Sequence, residues 1–454
     1  MKALAADDAV QLALARAKSA GAESADALCA ETDTLEVRVR GEVTDFVTQA
    51  RERTLGIRAF VAGPSGLRVA LTSTRDLASD AVARLAEDAA QLARATAEDP
   101  AAGLAPQTAS GPLPELDLLD PSDRGVSAEA RIDDARRAEA AARGVDPRIA
   151  NSEGSEAGSR FARIVYASQE GFLGHYESAS HWIACMPVAR DASGAMQTDS
   201  WHAVSRRLAG LEAPELVGRH AAERALAQLG ARRVATAEVP VIFEARAARS
   251  LVANLAACVS GYAVYRRSSF LAGRLGEKLA SAKLHVVDDG RIPGGLGSRP
   301  FDGEGVATRR TPVIEEGRLV SWLLDAYSAR KLGLASTGNA ARAAAGAPGV
   351  GPGNLWLEPD EGGLEDLVAD TPRGLLVTGL FGHGFNPVTG DFSRGARGFW
   401  IDKGRRVHPV EEITVAGNLG QMLQDVDAVA DDLLWQASVA APSLRVARMT
   451  VAGS

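Results

Sequence analysis

Cysteine is scarce. Cys29, Cys185 and Cys258 are odd in number and far apart in a chain of 454 residues, so no disulfide framework is available. None forms a CxxC pair, which also excludes a cysteine-only zinc site and suits a reducing compartment. No stretch reaches the roughly 18 consecutive apolar residues of a membrane span. The opening MKALAADDAVQLALARAKSAGAESADA places acids ahead of any apolar run, unlike a secretory leader. The expectation is a soluble, cytoplasmic protein. Net positive charge is missing too: the formal charge is −8, which argues against a polyanionic partner. The doublets Arg232-Arg233, Arg266-Arg267, Arg309-Arg310 and Arg405-Arg406 are scattered, with no aromatic residues interleaved as a nucleic-acid platform requires. No direct nucleic-acid binding is expected.

Several catalytic signatures are absent. A phosphate-cradling loop needs Gly-Lys before Ser or Thr, and the chain has no Gly-Lys dipeptide. The run Gly349-Val-Gly-Pro-Gly353 lies in a small-residue loop rather than between strand and helix, and reads as a turn. No Gly-x-Ser-x-Gly elbow occurs; Gly390-Asp-Phe-Ser-Arg-Gly395 comes nearest, with the wrong spacing. Zinc peptidases commonly set a glutamate beside the first of two helical histidines, so that metal and carboxylate act on one water. The seven histidines here are followed by Tyr, Trp, Ala, Ala, Val, Gly and Pro, so no His-Glu pair exists.

What is present is an ordinary globular composition, 46% apolar and 24% charged, at a length that suggests two domains. Helical periodicity marks residues 8–20, 76–95, with Leu77, Leu85 and Leu92 on one side, then 127–143, 214–229 and 246–259. Alternating stretches mark strands at 35–40, 54–61, 67–71, 160–168, 174–188, 196–209 and 239–243. Residues 314–319 and 400–405 read as hairpin turns with glycine at the tip. Residues 101–123 read as a connecting loop, and 339–354, nearly all Ala, Gly, Pro and Arg, as a mobile surface loop. The expected fold is α+β in two domains. Residues 1–230 would set helices on a mainly antiparallel sheet, and 231–454 would form a β-rich, barrel-like domain with a few helices.

Residues 301–418 carry strings that follow no generic template: PFDGEGV, GRLVSWLLDAYSARKLGLASTGNA, GDFSRGARGFWIDKG and PVEEITVAGNL. This block resembles the TldD/PmbA family of zinc metallopeptidase subunits. The resemblance implies, for the TldD branch, an HExxxH helix just before an Arg-Arg segment and a third ligand, a cysteine, near the C-terminus. The matching segment here, Ser250-Leu-Val-Ala-Asn-Leu-Ala-Ala-Cys-Val-Ser-Gly-Tyr-Ala-Val-Tyr-Arg-Arg267, contains no histidine, and no cysteine follows Cys258. The chain therefore resembles the TldE branch, also called PmbA, which lacks the zinc motif.

What the resemblance implies is a non-catalytic, metal-free subunit of a heterodimeric TldD/TldE zinc metallopeptidase acting on unfolded peptides. Zinc is expected in the TldD-like partner and none in this chain. Cys258 and Asn254, one turn apart on the same helix, read as a buried thiol and a satisfied amide, since together they make a poor zinc site. Within the block, Asp325, Arg330, Asn339, His383 and Asn386 are candidates for a substrate cleft or partner interface. Two other readings stand beside this one. The first is a homodimeric, non-catalytic binding or regulatory protein, the family also being described as modulators of DNA gyrase. The second is an independent hydrolase using Cys258 as nucleophile.

Overall fold

The computed structural model describes residues 3–106 and 109–453. Strands of the first half join in one sheet of eight. In space they run Glu98–Asp99, Gly66–Thr74, Val43–Gly63, Ser24–Arg40, Ile149–Ser168, Leu173–Arg190 and Met196–Thr198, with Trp201–Ser205 also on Leu173–Arg190. Every pairing is antiparallel. The period of two assigns the faces. Ala27, Cys29, Leu35, Val37 and Val39 all point one way from Ser24–Arg40. The first two meet the helices Ala6–Ser19 and Ser79–Arg94, and the last three meet Ala128–Val145 and Pro214–Ala227. Asp26 and Leu28 point the other way, and Leu28 packs with Tyr166, Phe301 and Ala344, so this face receives the second half of the chain.

The helices Ala6–Ser19 and Ser79–Arg94 bury mainly alanine, which lets them lie close to the sheet. Leu92, expected on the buried side, is 52% exposed; the contact stripe is Val82, Leu85, Ala86, Ala89, Ala90 and Ala93, which leaves Leu92 at its margin. The predicted strand at 196–209 is two short strands, Met196–Thr198 and Trp201–Ser205, followed by a turn of 3-10 helix, Leu208–Gly210.

In the second half, Ala237–Phe243, Arg373–Phe381, Asp391–Asp402, Arg405–Asn418 and Leu444–Ala452 pair in a ring. The pairing of Thr414–Ala416 with Thr450–Ala452 closes it into a five-stranded barrel and leaves these strands no free edge there. The hairpins close as the glycines suggest: Lys403 and Gly404, at φ 52° and 69°, link Asp402 to Arg405, the left-handed pair that matches strand twist. A second sheet carries Val286–Asp289 between Arg310–Glu315 and Asn354–Leu357. One large core unites barrel, second sheet and the helix Ala245–Val259. The fold is thus α+β with a closed barrel in the C-terminal region.

Residues 339–354 are not a mobile surface loop. Asn339, Ala340, Ala344 and Asn354 are buried, the segment pairs with itself at Ala340–Ala341 and Gly349–Val350, and the Arg342 side chain is fully enclosed. Its small residues serve close packing: a Cβ on Gly303 would stand 2.8 Å from that of Arg342, and one on Gly56 only 1.6 Å from the Ala344 carbonyl oxygen. Composition suggested flexibility, whereas long-range polar contacts fix the segment.

Candidate functional site

Where the free face of the first sheet meets the second half, a buried charge network joins them. Asp26 on Ser24–Arg40 accepts hydrogen bonds from Arg58 Nε at 3.0 Å, Arg342 Nη1 at 2.7 Å and the Tyr166 hydroxyl at 3.1 Å. Arg58 in turn reaches Glu304 at 3.1 Å, and the other oxygen of Glu304 accepts the backbone N–H of Ala326 at 2.8 Å. Burial alone would raise the Asp26 carboxyl, but Arg342 and Arg58 hold it down at about 2. Asp302 sits behind this network and accepts the N–H groups of Glu304, Val306 and Ala340. Burial, reinforced by the charge of Glu304, pushes its carboxyl up to about 7.

Above the network opens a cleft of about 800 Å³. One wall is Phe60, Val69, Ala70 and Leu71 of the first sheet; the other is Tyr262, Arg266, Tyr327 and Arg330 with residues 347–350. A shallower extension continues along Ala256, Ala257, Ser260 and Val350, at the end of the helix Ala245–Val259. Another depression, of about 400 Å³, lies on the sheet around Arg51, Arg124 and Arg163. Its four arginines face four carboxylates, with Arg51 paired to Asp33, Arg124 to Glu177 and Arg163 to Glu31.

Of the predicted residues, the structure groups three. Asp325 is fully buried and caps the helix Ala326–Leu332, its Oδ1 accepting the Ser328 backbone N–H at 2.8 Å. Its Oδ2 has no hydrogen-bond partner within normal distance among the described residues, but the carboxylate lies near the Tyr262 hydroxyl, whose pKa it helps burial to push up. Arg330, on the same helix, lines the cleft and donates to the carbonyls of Ala101, Leu104 and Gly103 at 2.6, 2.9 and 2.8 Å. Asn339 is buried, donating to Asp288 at 2.7 Å and accepting from Thr337 at 2.6 Å. His383 and Asn386 lie apart, exposed on the loop after Arg373–Phe381, where Asn386 accepts the Val388 N–H in a turn. Neither lines the cleft.

Sequence reasoning missed Tyr262, Arg266 and Tyr327, and with them Asp26, Arg58, Glu304 and Arg342. One signal was available: Gly261-Tyr-Ala-Val-Tyr-Arg-Arg267 sets tyrosines and an arginine three and four residues apart, on one helical face.

The helix Ala245–Val259 holds the position at which the family resemblance would seek a metal. Its inward residues are Leu251, Val252, Leu255 and Cys258. Cys258 is fully buried, and burial raises its thiol to about 12 against a hydrogen bond from Ser269, so it suits neither a metal ligand nor a nucleophile. Asn254 is only half-buried, and its side-chain nitrogen lacks a partner among the described residues, contrary to the expected satisfied amide. Among the described residues no group of three or more His, Cys, Asp or Glu side chains is placed to hold a metal ion. The donor set does not fit zinc. Nor, among the described residues, is any helix long and apolar enough to cross a membrane.

Three sequence profiles of the PmbA/TldA metallopeptidases match in order: domain 1 over residues 25–93, the central domain over 121–229 and the C-terminal domain over 236–453. Metalloprotease PmbA of Escherichia coli O157:H7 is 36% identical, over 97% of this chain and 94% of its own. The Metalloprotease PmbA homolog of Haemophilus influenzae is 34% identical over 98% and 96%. A crystal structure from Bacteroides thetaiotaomicron, named as a candidate modulator of DNA gyrase, is similar with a TM-score of 0.89 at 27% identity, covering 98% of both chains. TldE from Thermococcus kodakarensis shares the fold, with a TM-score of 0.88 at 23% identity over 98% of this chain and 100% of its own. With all three domains matched in order and end-to-end relatives above 30% identity, the protein belongs to the PmbA/TldD metallopeptidase family, on its TldE (PmbA) branch.

Proposed function

We propose that this chain is the non-catalytic, metal-free subunit of a heterodimeric TldD/TldE-type metallopeptidase, in which a TldD-like partner supplies zinc and the catalytic glutamate. The observation that carries the reading is the helix Ala245–Val259, which is packed into the core but offers leucine, valine and a buried high-pKa thiol in place of ligands. The cleft supports a role in holding unfolded peptides. Beyond Arg68, the strand Gly66–Thr74 pairs on one side only among the described residues, so residues 69–74 present a main-chain edge with no strand partner there, beside Val69, Ala70 and Leu71 of the cleft wall. An extended peptide can add to such an edge through main-chain hydrogen bonds that tolerate many side chains. In this reading Arg330 belongs to the cleft, Asp325 and Asn339 hold its wall from behind, and exposed His383 and Asn386 belong to the partner-facing surface. The division into units 1–230 and 231–454 and a cytoplasmic setting are part of the same proposal; three separate buried thiols agree with the latter.

The test mixes the purified chain with a relative that retains HExxxH and the late cysteine. Zinc content and peptide cleavage are measured for each alone and for both together. Zinc in the relative, cleavage only in the mixture and one-to-one assembly are expected. Stoichiometric zinc or robust cleavage by this chain alone would overturn the proposal.

A further inference from the structure

Three of the chain's five tyrosines converge on the cleft and its rim. Tyr262 stacks on Tyr327, with centroids 5.9 Å apart and planes 22° off parallel, and Tyr265 meets both rings at 5.6 and 6.0 Å. Arg266 lies over this cluster, its guanidinium 5.2 Å from the Tyr262 centroid and 5.4 Å from that of Tyr265, with Nε donating to the Tyr265 hydroxyl at 2.9 Å. Its remaining donors have no partner among the described residues, and no carboxylate there lies within 4 Å of it. Arg266 is an exposed residue, but the two rings and the Tyr265 hydroxyl restrict where its guanidinium can lie, so capturing an anion costs it less conformational freedom than a free side chain would lose.

The other charges lining the cleft are spoken for or share its sign. Arg58 is bound to Asp26 and Glu304. Asp99 accepts from Tyr327 at 2.6 Å and Lys331 at 2.9 Å; burial opposes its ionisation, but these two contacts hold it at about 2. Arg330 donates to three main-chain carbonyls and has no carboxylate within 4 Å among the described residues. The cleft therefore carries two guanidinium groups, Arg266 over the Tyr262 ring and Arg330 at the carbonyls of residues 101–104, neither with a carboxylate within 4 Å among the described residues. Glu304, Asp325 and Asp99 nevertheless lie near enough to Arg330 to act on its charge.

We propose that Arg266, backed by the field of Arg330, is a carboxylate-binding subsite that selects extended peptides carrying a carboxylate, either an acidic side chain or a free C-terminus. The inference rests on the peptide-holding role proposed above and names its substrate class. The apolar wall Phe60, Val69, Ala70 and Leu71 and the strand edge beside it suit a peptide backbone, and the formal charge of −8 disfavours a polyanion.

The test measures binding of fluorescent peptides to the purified full chain at low salt. One unstructured sequence is made with an internal Glu or Gln, each with a free or an amidated C-terminus. At least one carboxylate form is expected to bind about tenfold tighter than the fully neutral form, the strength of one charge-assisted contact. The arm that gains identifies the carboxylate's source. In Arg266→Gln the preference should fall to about twofold or less, in Arg266→Lys part of it should return, and Arg267→Gln, outside the cleft lining, should keep it. Circular dichroism establishes that the variants fold. Equal affinity for all four peptides, or an undiminished preference in folded Arg266→Gln, overturns the subsite. The two proposals separate cleanly in the reconstituted mixture. Cleavage indifferent to Arg266 and to the carboxylate sinks the subsite alone. A carboxylate preference without any cleavage in the mixture leaves the subsite and sinks the partner reading.

Discussion

Replacing Asp26 by Asn tests the junction between the two halves of the chain. Asp26 is fully buried, and so is the side chain of Arg342, for which Asp26 is the ion-pair partner found among the described residues. Each guanidinium about 4 Å from the carboxylate contributes roughly 4 kcal/mol of gross attraction at an effective dielectric near 20. Desolvation consumes several kcal/mol per ion, so the net worth of the cluster is far smaller than this sum. Breaking it from one side is different. Arg58 keeps Glu304, whereas Arg342, whose Nε and Nη2 already lack partners among the described residues, is left as a buried uncompensated charge. Asp26→Asn is expected to lose about 3–5 kcal/mol at pH 7, read from urea melts followed by tryptophan fluorescence. Asp26→Asn with Arg342→Met removes the stranded charge and should recover roughly 2 kcal/mol of that loss. The pH dependence has a definite sign. The Asp26 carboxyl lies at about 2 in the fold against an ordinary 3.8, so its contribution is full above 3.8 and is lost as pH falls through about 2. A single variant within about 1 kcal/mol of wild type, or a double variant no more stable than the single, would refute the stranded-charge reasoning.

Three other expectations can be checked directly. Burial raises Cys29, Cys185 and Cys258 each to about 12, so a thiol reagent at pH 8 should label none of them in the native chain and all three in urea; a fast native thiol contradicts this. Cys258→Ser should leave peptide cleavage by the reconstituted complex nearly intact, and a large loss would restore a catalytic role to that thiol. Asp302 titrates at about 7 in the fold instead of 3.8, chiefly through burial, so the folded state holds its proton longer. Its contribution to stability is full below 3.8 and declines as pH rises towards 7. Asp302→Asn should flatten that part of the stability curve, and identical slopes in the two proteins would exclude the effect.

Much of the architecture was legible because it is local. The alternation in Leu35-Glu-Val-Arg-Val-Arg40 does divide between the helix-covered and open faces of the sheet, and glycine at 317 and 404 does occupy left-handed turn positions, at φ 76° and 69°. The absence of any His-Glu pair was equally plain, since ligand spacing on one helix is a local property. The segment 339–354 misled because small residues that permit tight packing look the same in sequence as small residues that permit motion. Asn254 misled because a half-buried amide finds its partners, or fails to, across the fold rather than along the helix.

By itself the sequence determined the element types, the antiparallel first half, the family block and the missing zinc ligands, all consequences of residue type and short spacing. Only the tertiary structure decided the site. Arg342 reaches Asp26 across 316 positions and Arg58 reaches Glu304 across 246, and the Tyr262 ring under Arg266 stacks on Tyr327 of another helix. Such contacts leave no periodic trace, because a buried charge finds its counter-charge through space, wherever the sheet, the barrel and their connecting segments bring the two together.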